Sequence, residues 1–375
     1  MNWTDAIEQT LLTTRANIAR FGDQFPYVSN GERNYQLTGH SSWTEGFWPG
    51  ILWLSYEYSR DPAFREAALS STASLSERLA KRTYIDHHDI GFLYSLSTKA
   101  QWIITKDEAS RRTALDAADW LLTRWRPNTQ LIQAWGAEGD PVNGGRIIID
   151  CLMNLPLLYW AAEQTGDKRY ADIARVQAEK SRRFLVRGDD SSYHTFYFHP
   201  ETGEALRGGT QQGYQDGSTW TRGQAWGVYG FALAFRYFRD EAYLDTARRL
   251  ARNFIAHLPE DQVAYWDFDA PQESGTPRDS SASAITACGL LELVELMPDC
   301  LDRVLFRHAA ERSMASLVQS YFTAGHSEEE GFLRHGSYSV RGGVSPDDFV
   351  IWGDYFFLEA LMRLRGGITG YWYER

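Results

Sequence analysis

Two kinds of apolar pattern alternate along the chain. Segments of the first kind are apolar or aromatic on every side, and they begin near Trp43, Asp89, Ile149, Thr221, Ser281 and Val350. Segments of the second kind carry one apolar stripe among Ala, Arg and Glu, and they begin near Thr4, Ala63, Glu108, Lys168, Glu241 and Val304. A helix that is apolar all round is buried, whereas a helix with a single stripe lies outside. The alternation predicts an all-α fold, an (α/α)6 barrel of six inner helices ringed by six outer ones.

Strand patterns are few and fall between the predicted helices. Residues 192–199 alternate in polarity and end in a Pro-Glu-Thr-Gly turn, which predicts a β-hairpin. Residues 264–268 and 331–335 have a similar pattern and are expected to form short hairpin insertions. No segment has the composition of a linker, so residues 1–375 are predicted to form a single domain.

Charge and composition limit the classes of partner. The formal net charge is −11, so nucleic acid and anionic membrane surfaces are repelled at long range. No apolar run reaches the roughly 20 residues of a membrane span, and the N-terminus lacks the pattern of a signal peptide. The three cysteines are odd in number and widely spaced, which is typical of reduced thiols. We therefore expect a cytoplasmic protein, either a monomer or a homodimer, with no nucleic-acid or membrane partner.

Two acids lie where a polar loop passes into an apolar segment. Asp150 falls early in the apolar run 144–158, and Asp89 directly precedes another such run. Burying an ionised carboxylate is costly unless it is paired or has a function. Inner helices of a barrel run in one direction, so their N-terminal ends meet at one mouth, where the two acids are expected to face each other. Close carboxylates do not both ionise readily, so one keeps a proton near neutral pH and can act as an acid.

Other predicted inner helices also begin with conspicuous side chains. They are Trp43, Trp220 with Arg222, and Asp347 with Asp348. Helix N-termini present free N–H groups and partial positive charge, so the mouth should favour an anion despite the net charge. The guanidinium of Arg222 has the fork geometry to bind a carboxylate bidentately. Alternatively, it stacks on Trp220 or Trp226 and only holds helices together.

The two acids have structural alternatives as well. Asp89 and Asp150 could each be a helix N-cap, for which Asp is favoured. Asp150 fits this interpretation poorly, because residues 146–149 are predicted to be part of the helical run already. The run 86–89, with two adjacent His, could suggest a metal site, but adjacent His side chains point in different directions and no second cluster has ligand spacing. No metal or other cofactor is predicted.

These residues lie in segments that resemble the unsaturated glucuronyl hydrolases, glycoside hydrolase family 88, over essentially the whole chain. The segments that carry the resemblance are 43–48, 86–97, 144–158, 187–196, 216–226, 278–284, 345–348 and 352–355. The resemblance implies an (α/α)6 barrel that needs no cofactor. It also implies a small oligosaccharide substrate, left by a polysaccharide lyase, with a C4=C5 unsaturated uronic acid at its non-reducing end.

The resemblance further implies roles for individual residues. Asp150 matches the acid/base of the family, and Asp89 matches its partner carboxylate. The implied lining of the sugar site is Trp43, His88, Trp135, His194, Gln212, Ser218, Trp220, Arg222 and Trp226. In the implied reaction Asp150 protonates C4 of the double bond, water adds at C5, and the resulting hemiketal opens with loss of the glycosidic bond.

Three other functions fit parts of the pattern. An unsaturated rhamnogalacturonyl hydrolase would share the fold and differ in the sugar it recognises. A sugar 2-epimerase also uses an (α/α)6 barrel, but it would need a His pair as acid and base where this chain centres two acids. A non-catalytic glycan-binding protein would have no reason to bury two carboxylates. The sequence leaves open which polysaccharide supplies the substrate and whether sulfate is tolerated.

Overall fold

The computed structural model describes residues 2–324 and 328–374, and this part of the chain is mostly helical. Its α-helices are α1 (Trp3–Phe21), α2 (Phe47–Ser59), α3 (Pro62–Ala80), α4 (Ile90–Ser95), α5 (Thr98–Thr105), α6 (Glu108–Leu122), α7 (Leu155–Thr165), α8 (Lys168–Phe184), α9 (Thr221–Phe238), α10 (Glu241–Ala256), α11 (Ser280–Leu296), α12 (Leu301–Ser316) and α13 (Ile351–Arg365). Short 3-10 helices at Asn143–Gly145 and Ile149–Met153 and a π-helix at Leu317–Tyr321 complete the helical segments.

The strands are short and antiparallel. Strand β1 (Phe25–Pro26) pairs with β2 (Leu37–Thr38), and β3 (Trp125–Arg126) pairs with β4 (Leu131–Ile132). A further sheet has the order β5 (Arg146–Ile148), β6 (Thr195–Phe198), β7 (Ala205–Gly209). Strands β6 and β7 form the hairpin that the alternating pattern of residues 192–199 predicts.

Helices that are buried along most of their length form a closed ring. Most residues of α2, α4, α7, α9, α11 and α13 are buried. Helix α2 contacts α5, α4 contacts α7, α7 contacts α9, α9 contacts α11, α11 contacts α13, and α13 contacts α2 again. Apolar residues on all sides of these helices require neighbours on all sides, and the ring supplies them.

Four of the remaining helices, α3, α6, α8 and α10, bury one side and begin after a recurrent turn. In this turn a residue in the left-handed conformation ends the inner helix, and an Asp then caps the next one. The left-handed residues are Arg60, Lys106, Gly166 and Arg239. The capping residues, whose carboxylates accept N–H groups of the first helical turn, are Asp61, Asp107, Asp167 and Asp240. Such caps stop one helix and start another within two residues, which brings the outer helix back along the inner one.

Several helices begin where the sequence pattern predicts, and other regions differ. Helices α6, α8, α9 and α10 begin at the predicted residue. Helix α2 begins at Phe47 instead of Trp43. The reason is the buried Glu45, whose carboxylate accepts the N–H groups of Ser41 and Ser42 at 3.0 and 3.2 Å and holds a turn there.

The prediction of helix over residues 146–149 is wrong. Arg146–Ile148 form strand β5, and a 3-10 helix begins at Ile149. The three consecutive Ile residues are β-branched and pack well in a strand, and β6 offers the partner edge.

The hairpins predicted at 264–268 and 331–335 are also wrong, because these segments form only isolated bridges such as Tyr265 to Arg278 and Phe322 to Leu333. In the second segment the buried Asp354 carboxylate accepts the N–H groups of Phe332 and Leu333, at 2.8 and 3.0 Å, so these two groups do not take part in a strand ladder.

The C-terminal segment fills the middle of the ring. Trp372 is 1% exposed and stacks parallel to Phe356, with ring centroids 5.9 Å apart. Its indole donates to Glu359 at 3.0 Å, and its carbonyl accepts from the buried Lys99 at 2.8 Å. The end of the chain is therefore part of the core.

Two further observations concern the chain as a whole. Cys151, Cys288 and Cys300 are all unpaired thiols. Within residues 2–324 and 328–374, no helix is both long enough and apolar enough to cross a membrane.

Candidate active site

Asp89 lies at the beginning of α4 in a buried loop. Asp89 is 7% exposed. It occupies the N-cap position of α4, but its side chain makes no capping hydrogen bond. The N-cap alternative is therefore wrong for Asp89. Carboxylate oxygen Oδ1 is 3.3 Å from His88 Nε2 and 3.4 Å from Asn154 Nδ2. Burial acts to raise the pKa of Asp89, but the neighbouring His88, His87 and Asn154 hold it below its usual value. Asp89 is therefore ionised near neutral pH.

Asp150 is equally buried but has a different environment. It lies on the 3-10 helix that follows β5, and its Oδ2 has no hydrogen-bond partner among the described residues. Burial and the negative charge of Asp89 raise the pKa of Asp150 to about 7, and Arg222 and Trp226 oppose this shift only in part. Trp226 lies close enough to affect this pKa, yet its Nε1 makes no hydrogen bond of ordinary geometry. Asp150 thus holds or releases a proton near neutral pH.

Strand pairing places His194 beside Asp150. Ile148 pairs with Thr195, and the N–H of Ile149 donates to the carbonyl of His194 at 3.0 Å. The Nδ1 of His194 accepts the N–H groups of Gln211 and Gln212, at 3.0 and 3.3 Å, which places the ring proton on Nε2. That atom is 3.9 Å from Asp150 Oδ2. Burial lowers the pKa of His194 well below its usual value, so the ring is a neutral N–H donor.

His88 lies on the Asp89 side of the site. It is 1% exposed, and burial lowers its pKa to about 4, so it is neutral near pH 7. Neither of its ring nitrogens has a hydrogen-bond partner among the described residues. Buried polar atoms are nearly always satisfied in native proteins. The unsatisfied atoms of His88, Asp150, His194 and Trp226 therefore mark one place where a polar ligand would complete the hydrogen bonding.

Aromatic rings surround the two carboxylates. The ring of Trp135 lies 6.4 Å from that of His88, and the ring of Trp220 lies 4.4 Å from that of His194. Trp226 is fully buried and lies 5.4 Å from Phe92. Trp43 joins the same cluster, with its ring 5.5 Å from Phe92. Trp43 and Trp135 are only half-buried, so they have aromatic surface to offer a sugar.

Arg222 occupies the site but does not present a free fork. Its Nη1 donates to Asp279 and to the Ser337 carbonyl, and its Nη2 donates to Gln212 Oε1 at 2.8 Å and to the Tyr338 carbonyl at 2.7 Å. The guanidinium also lies 4.5 Å from the Trp220 ring centre, as the stacking alternative predicts. The prediction of a carboxylate fork is therefore corrected: Arg222 ties α9 to the start of α11 and to the 337–338 segment.

Three other predicted residues are held by protein partners. The hydroxyl of Ser218 donates to Asp267 at 2.7 Å, which fixes the preceding loop. Asp348 accepts from Ser29 at 2.7 Å, and Asp347 lies 2.7 Å from His335 Nδ1. These side chains join loops, and their contacts give no support for direct ligand binding.

Arg146 is a residue that the sequence analysis missed. It is 6% exposed, and its guanidinium lies 4.6 Å from the centre of Trp135 and 5.0 Å from that of Tyr197. It donates to neutral acceptors, which are Thr195 at 3.0 Å, Asn143 at 3.3 Å and Gln211 at 3.2 Å. Among the described residues no carboxylate forms a salt bridge with it, so its charge is not neutralised. A lone cation heading an apolar run is the signal in the sequence that could have found it.

The run 86–89 does not form a metal site in this structure. Asp86 is bound to Arg124, and His87 Nδ1 accepts the N–H of Asp89 at 3.1 Å. In the described ranges, no group of three or more His, Cys, Asp or Glu side chains is arranged to hold a metal ion.

The family model described as Glycosyl Hydrolase Family 88 matches residues 17–363. The chain belongs to glycosyl hydrolase family 88. It is 60% identical over 374 residues to the unsaturated glucuronyl hydrolase of Bacillus sp. (strain GL1), with 100% of this chain and 99% of the relative covered. It is 41% identical over 372 residues to the unsaturated chondroitin disaccharide hydrolase of Streptococcus pneumoniae, with 98% and 93% covered.

Solved structures of family 88 enzymes agree with this membership. The crystal structure of the Bacillus sp. GL1 enzyme, which is described as responsible for the degradation of glycosaminoglycan, matches with a TM-score of 0.98, 60% identity and coverage of 100% and 99%. A mutant of the Streptococcus agalactiae unsaturated glucuronyl hydrolase, complexed with dGlcA-GalNAc6S, matches with a TM-score of 0.87, 38% identity and coverage of 99% and 93%.

We expect Arg222→Lys to lower the stability of this family 88 enzyme. A single ammonium group cannot reach all the acceptors that the guanidinium spans, and each buried acceptor left unpaired costs about 1–3 kcal/mol. Thermal unfolding of the variant measures the loss. The matched control is Arg169→Lys, in an exposed pair with Asp167, where a change within about 0.5 kcal/mol is expected. If Arg222→Lys instead left the stability unchanged and raised only KM, the guanidinium would be assigned to ligand binding.

Proposed function

We propose that this family 88 enzyme releases the non-reducing-end unsaturated glucuronic acid from lyase-generated oligosaccharides of the glycosaminoglycan or gellan type. The observation that carries the proposal is the pair of buried carboxylates with opposite pKa shifts, lowered at Asp89 and raised to about 7 at Asp150. An ionised carboxylate beside a protonated one supplies both a stabilising charge and an acid. The names of the relatives, which refer to unsaturated glucuronyl and chondroitin disaccharide substrates, support the same substrate class.

The proposed architecture is an (α/α)6 barrel formed by a single domain. The ring supports six inner positions, with α4 and α5 together counted as one; the other five are α2, α7, α9, α11 and α13. The six outer helices are α1, α3, α6, α8, α10 and α12. One continuous cluster of buried apolar residues, from Ala6 to Trp372, supports the single domain. We further propose a cytoplasmic location, in agreement with the unpaired cysteines, and a monomer or homodimer.

In the first step of the proposed reaction, Asp150 donates its proton to C4 of the C4=C5 double bond. The electron pair of that bond forms the new C4–H bond, and positive charge develops at C5 and the ring oxygen. The ionised carboxylate of Asp89 stabilises this charge in a site from which water is largely excluded. Oδ2 of Asp150 suits the donor role because no described protein group is hydrogen-bonded to it.

In the second step a water molecule adds to C5 and gives its proton to the Asp150 carboxylate, which restores the acid. The product is a hemiketal at C5. It opens to a ketone as the bond from C5 to the ring oxygen breaks. The oxygen left on C1 then forms the aldehyde while the glycosidic bond breaks and the remaining saccharide leaves. The residues that act are the two carboxylates, with general acid–base catalysis by one of them.

Substrate binding is assigned to the groups around this pair. His88 and His194 offer neutral hydrogen-bonding atoms, and Trp226 offers an indole N–H. Trp43, Trp135 and Trp220 offer flat faces, on which sugars stack. Arg146 carries the charge that no described carboxylate neutralises, and that charge favours an anionic substrate. In this proposal Gln212 and Arg222 shape the site through the hydrogen bond between them.

The lowered pKa values of His88 and His194 argue against the epimerase alternative. An epimerase would need both as acid and base near neutral pH, but burial lowers the pKa of His88 to about 4 and that of His194 well below its usual value.

The rhamnogalacturonyl alternative differs only in the sugar. A panel of lyase-generated disaccharides from gellan, chondroitin, hyaluronan and pectin separates the two, with turnover followed as loss of the ultraviolet absorbance of the conjugated alkene. Turnover confined to the pectin product would overturn the proposed substrate class.

We expect Asp150→Asn to lose turnover by about 100- to 10,000-fold, because an amide keeps the shape but cannot donate or accept the proton. Asp89→Asn should also be severe. The double variant should lose far less than the sum of the two effects, since the carboxylates act as a unit. The measurement is kcat on an unsaturated disaccharide with folded, purified variants. Near-normal turnover by Asp150→Asn would remove Asp150 from the mechanism.

The same variant should gain stability at high pH. Between the ordinary value of 3.8 and about 7, folded wild type keeps a proton on Asp150 that the unfolded chain releases, so wild-type stability falls as pH rises through this window. An amide has no such dependence. We expect Asp150→Asn to exceed wild type above the window by on the order of 2–4 kcal/mol in urea unfolding, and to match it at about pH 4. If the unfolding free energies of wild type and Asp150→Asn changed with pH in the same way, Asp150 would have an ordinary pKa.

Activity should fall on the alkaline side of neutrality. Asp150 must be protonated to begin the reaction, and its pKa is raised to about 7 by burial and by Asp89. We expect kcat/KM to decline about tenfold per pH unit above that value, while activity persists on the acid side because the pKa of Asp89 is lowered. Initial rates across the pH range measure this. A flat profile well into the alkaline range would contradict it.

Saturated glucuronides should not be substrates, because they have no C4=C5 bond for Asp150 to protonate. In heavy-oxygen water the label should enter at C5 and appear in the ketone of the opened product. Mass spectrometry of a single-turnover product, trapped before the ketone exchanges, locates the label. Label at the anomeric carbon, or brisk hydrolysis of a saturated glucuronide, would indicate direct displacement with two carboxylates instead.

A further inference from the structure

We propose that Asn154 is a positioning residue that keeps Asp89 ionised and fixes it beside Asp150. Asn154 follows the 3-10 helix that carries Asp150, directly precedes α7, and is 1% exposed. The proposal rests on the function proposed above for the two carboxylates and adds a residue that helps to make them unequal.

Hydrogen bonding fixes the orientation of the Asn154 carboxamide. Its Oδ1 accepts the main-chain N–H of Phe92 at 2.8 Å, in the first turn of α4. Because an N–H group can only donate, the oxygen of the amide must face Phe92. The nitrogen Nδ2 then lies 3.4 Å from Asp89 Oδ1 and 3.4 Å from the Asp150 carbonyl. One side chain therefore contacts both segments that carry the carboxylates.

The backbone at Gly91 makes this arrangement possible. A Cβ atom on Gly91 would lie 2.3 Å from the Cα of Asn154 and 2.6 Å from its Oδ1. No side chain fits in that space, so α4 approaches Asn154 as closely as two backbones allow. The amide and Asp89 are consequently held together by packing as well as by hydrogen bonds.

Asn154 contributes to the asymmetry between the two acids, together with His88 and His87. Within the described residues, its Nδ2 is the one donor that forms a hydrogen bond to the Asp89 carboxylate. His88 Nε2 lies 3.3 Å from Asp89 Oδ1, but the two atoms are not oriented to form a hydrogen bond. His87 Nδ1 already accepts the main-chain N–H of Asp89. Asp150 Oδ2 has no such partner. When two carboxylates share a site, the one with a hydrogen-bond donor ionises first.

Other titratable and charged groups also face the pair. His87 and His88 lie on the Asp89 loop, His194 lies directly before β6 and Arg222 lies on α9, and Asp150 lies in the field of Asp89. Arg124 and Arg146 act on His88 in turn. All of these groups stay in place when only Asn154 is changed, so a shift in the titration of Asp89 can be assigned to the amide.

The test is Asn154→Asp, which separates two roles of the same side chain. It keeps an oxygen that can accept the Phe92 N–H. It replaces the donor toward Asp89 with a second acceptor. We expect kcat to fall at least about tenfold near neutral pH and the acid limb of kcat/KM to move at least about one unit toward higher pH. Asn128→Asp, the same change on an exposed turn, is the matched control and should leave the profile unchanged.

A second measurement does not depend on catalysis. Without the amide donor, the folded-state pKa of Asp89 rises, so stability that wild type has above the ordinary value of 3.8 is lost. The difference in unfolding midpoint between wild type and Asn154→Ala should therefore widen as pH rises from about 3 to about 6. If wild type fails to act on unsaturated glucuronides, the proposed function fails while this readout still tests Asn154. An Asn154→Asp variant with wild-type kcat and acid limb, or a midpoint difference that is constant across this range, would overturn the proposal.

Discussion

The close approach of α4 to Asn154 is the constraint on which the site depends. The space beside Gly91 is too small for a methyl group, and the Phe92 N–H and the Asn154 carboxamide fit together within it. This contact joins the segment that carries Asp89 to the segment that carries Asp150. The electrostatic influence of Asp89 on Asp150 follows from that proximity, since charges interact strongly at short range in a buried site.

Two chemically identical side chains acquire different roles from their partners. Asp89 accepts an amide N–H and lies among imidazoles, so its pKa is lowered. Asp150 lies on a strand-to-helix junction whose backbone bonds go to β6, and its Oδ2 is left without a partner. Burial and the charge of Asp89 then raise its pKa to about 7. Different surroundings therefore separate a carboxyl group that holds a proton near neutral pH from one that is ionised.

Several buried charges away from this pair are neutralised by ion pairs within the protein. Arg78 pairs with Glu45, Arg222 pairs with Asp279, and Arg363 pairs with Glu292 and Glu359. Such pairs satisfy one another and leave little net field for a ligand. Arg146 differs because its acceptors are neutral and its guanidinium lies between two rings. Arg146, which no described carboxylate neutralises, is thus found at the same candidate site as Asp150.

The amino-acid sequence by itself determined the alternation of buried and one-sided helices and the beginnings of α6, α8, α9 and α10. It also indicated Asp89 and Asp150 as candidate site residues, because a carboxylate at the start of an apolar run is costly to bury in any fold. Periodicity reports burial, however, and does not report partners. Only the tertiary structure decided that Arg146–Ile148 pair with β6, since a strand needs an edge contributed by residues about fifty positions away. The same holds for Arg222, whose Nη1 finds its acceptor 115 residues along the chain, and for Asn154, which contacts Asp89 across 65 residues. Hydrogen-bond partners and pKa shifts depend on such distant neighbours, so they were fixed by packing and not by local pattern.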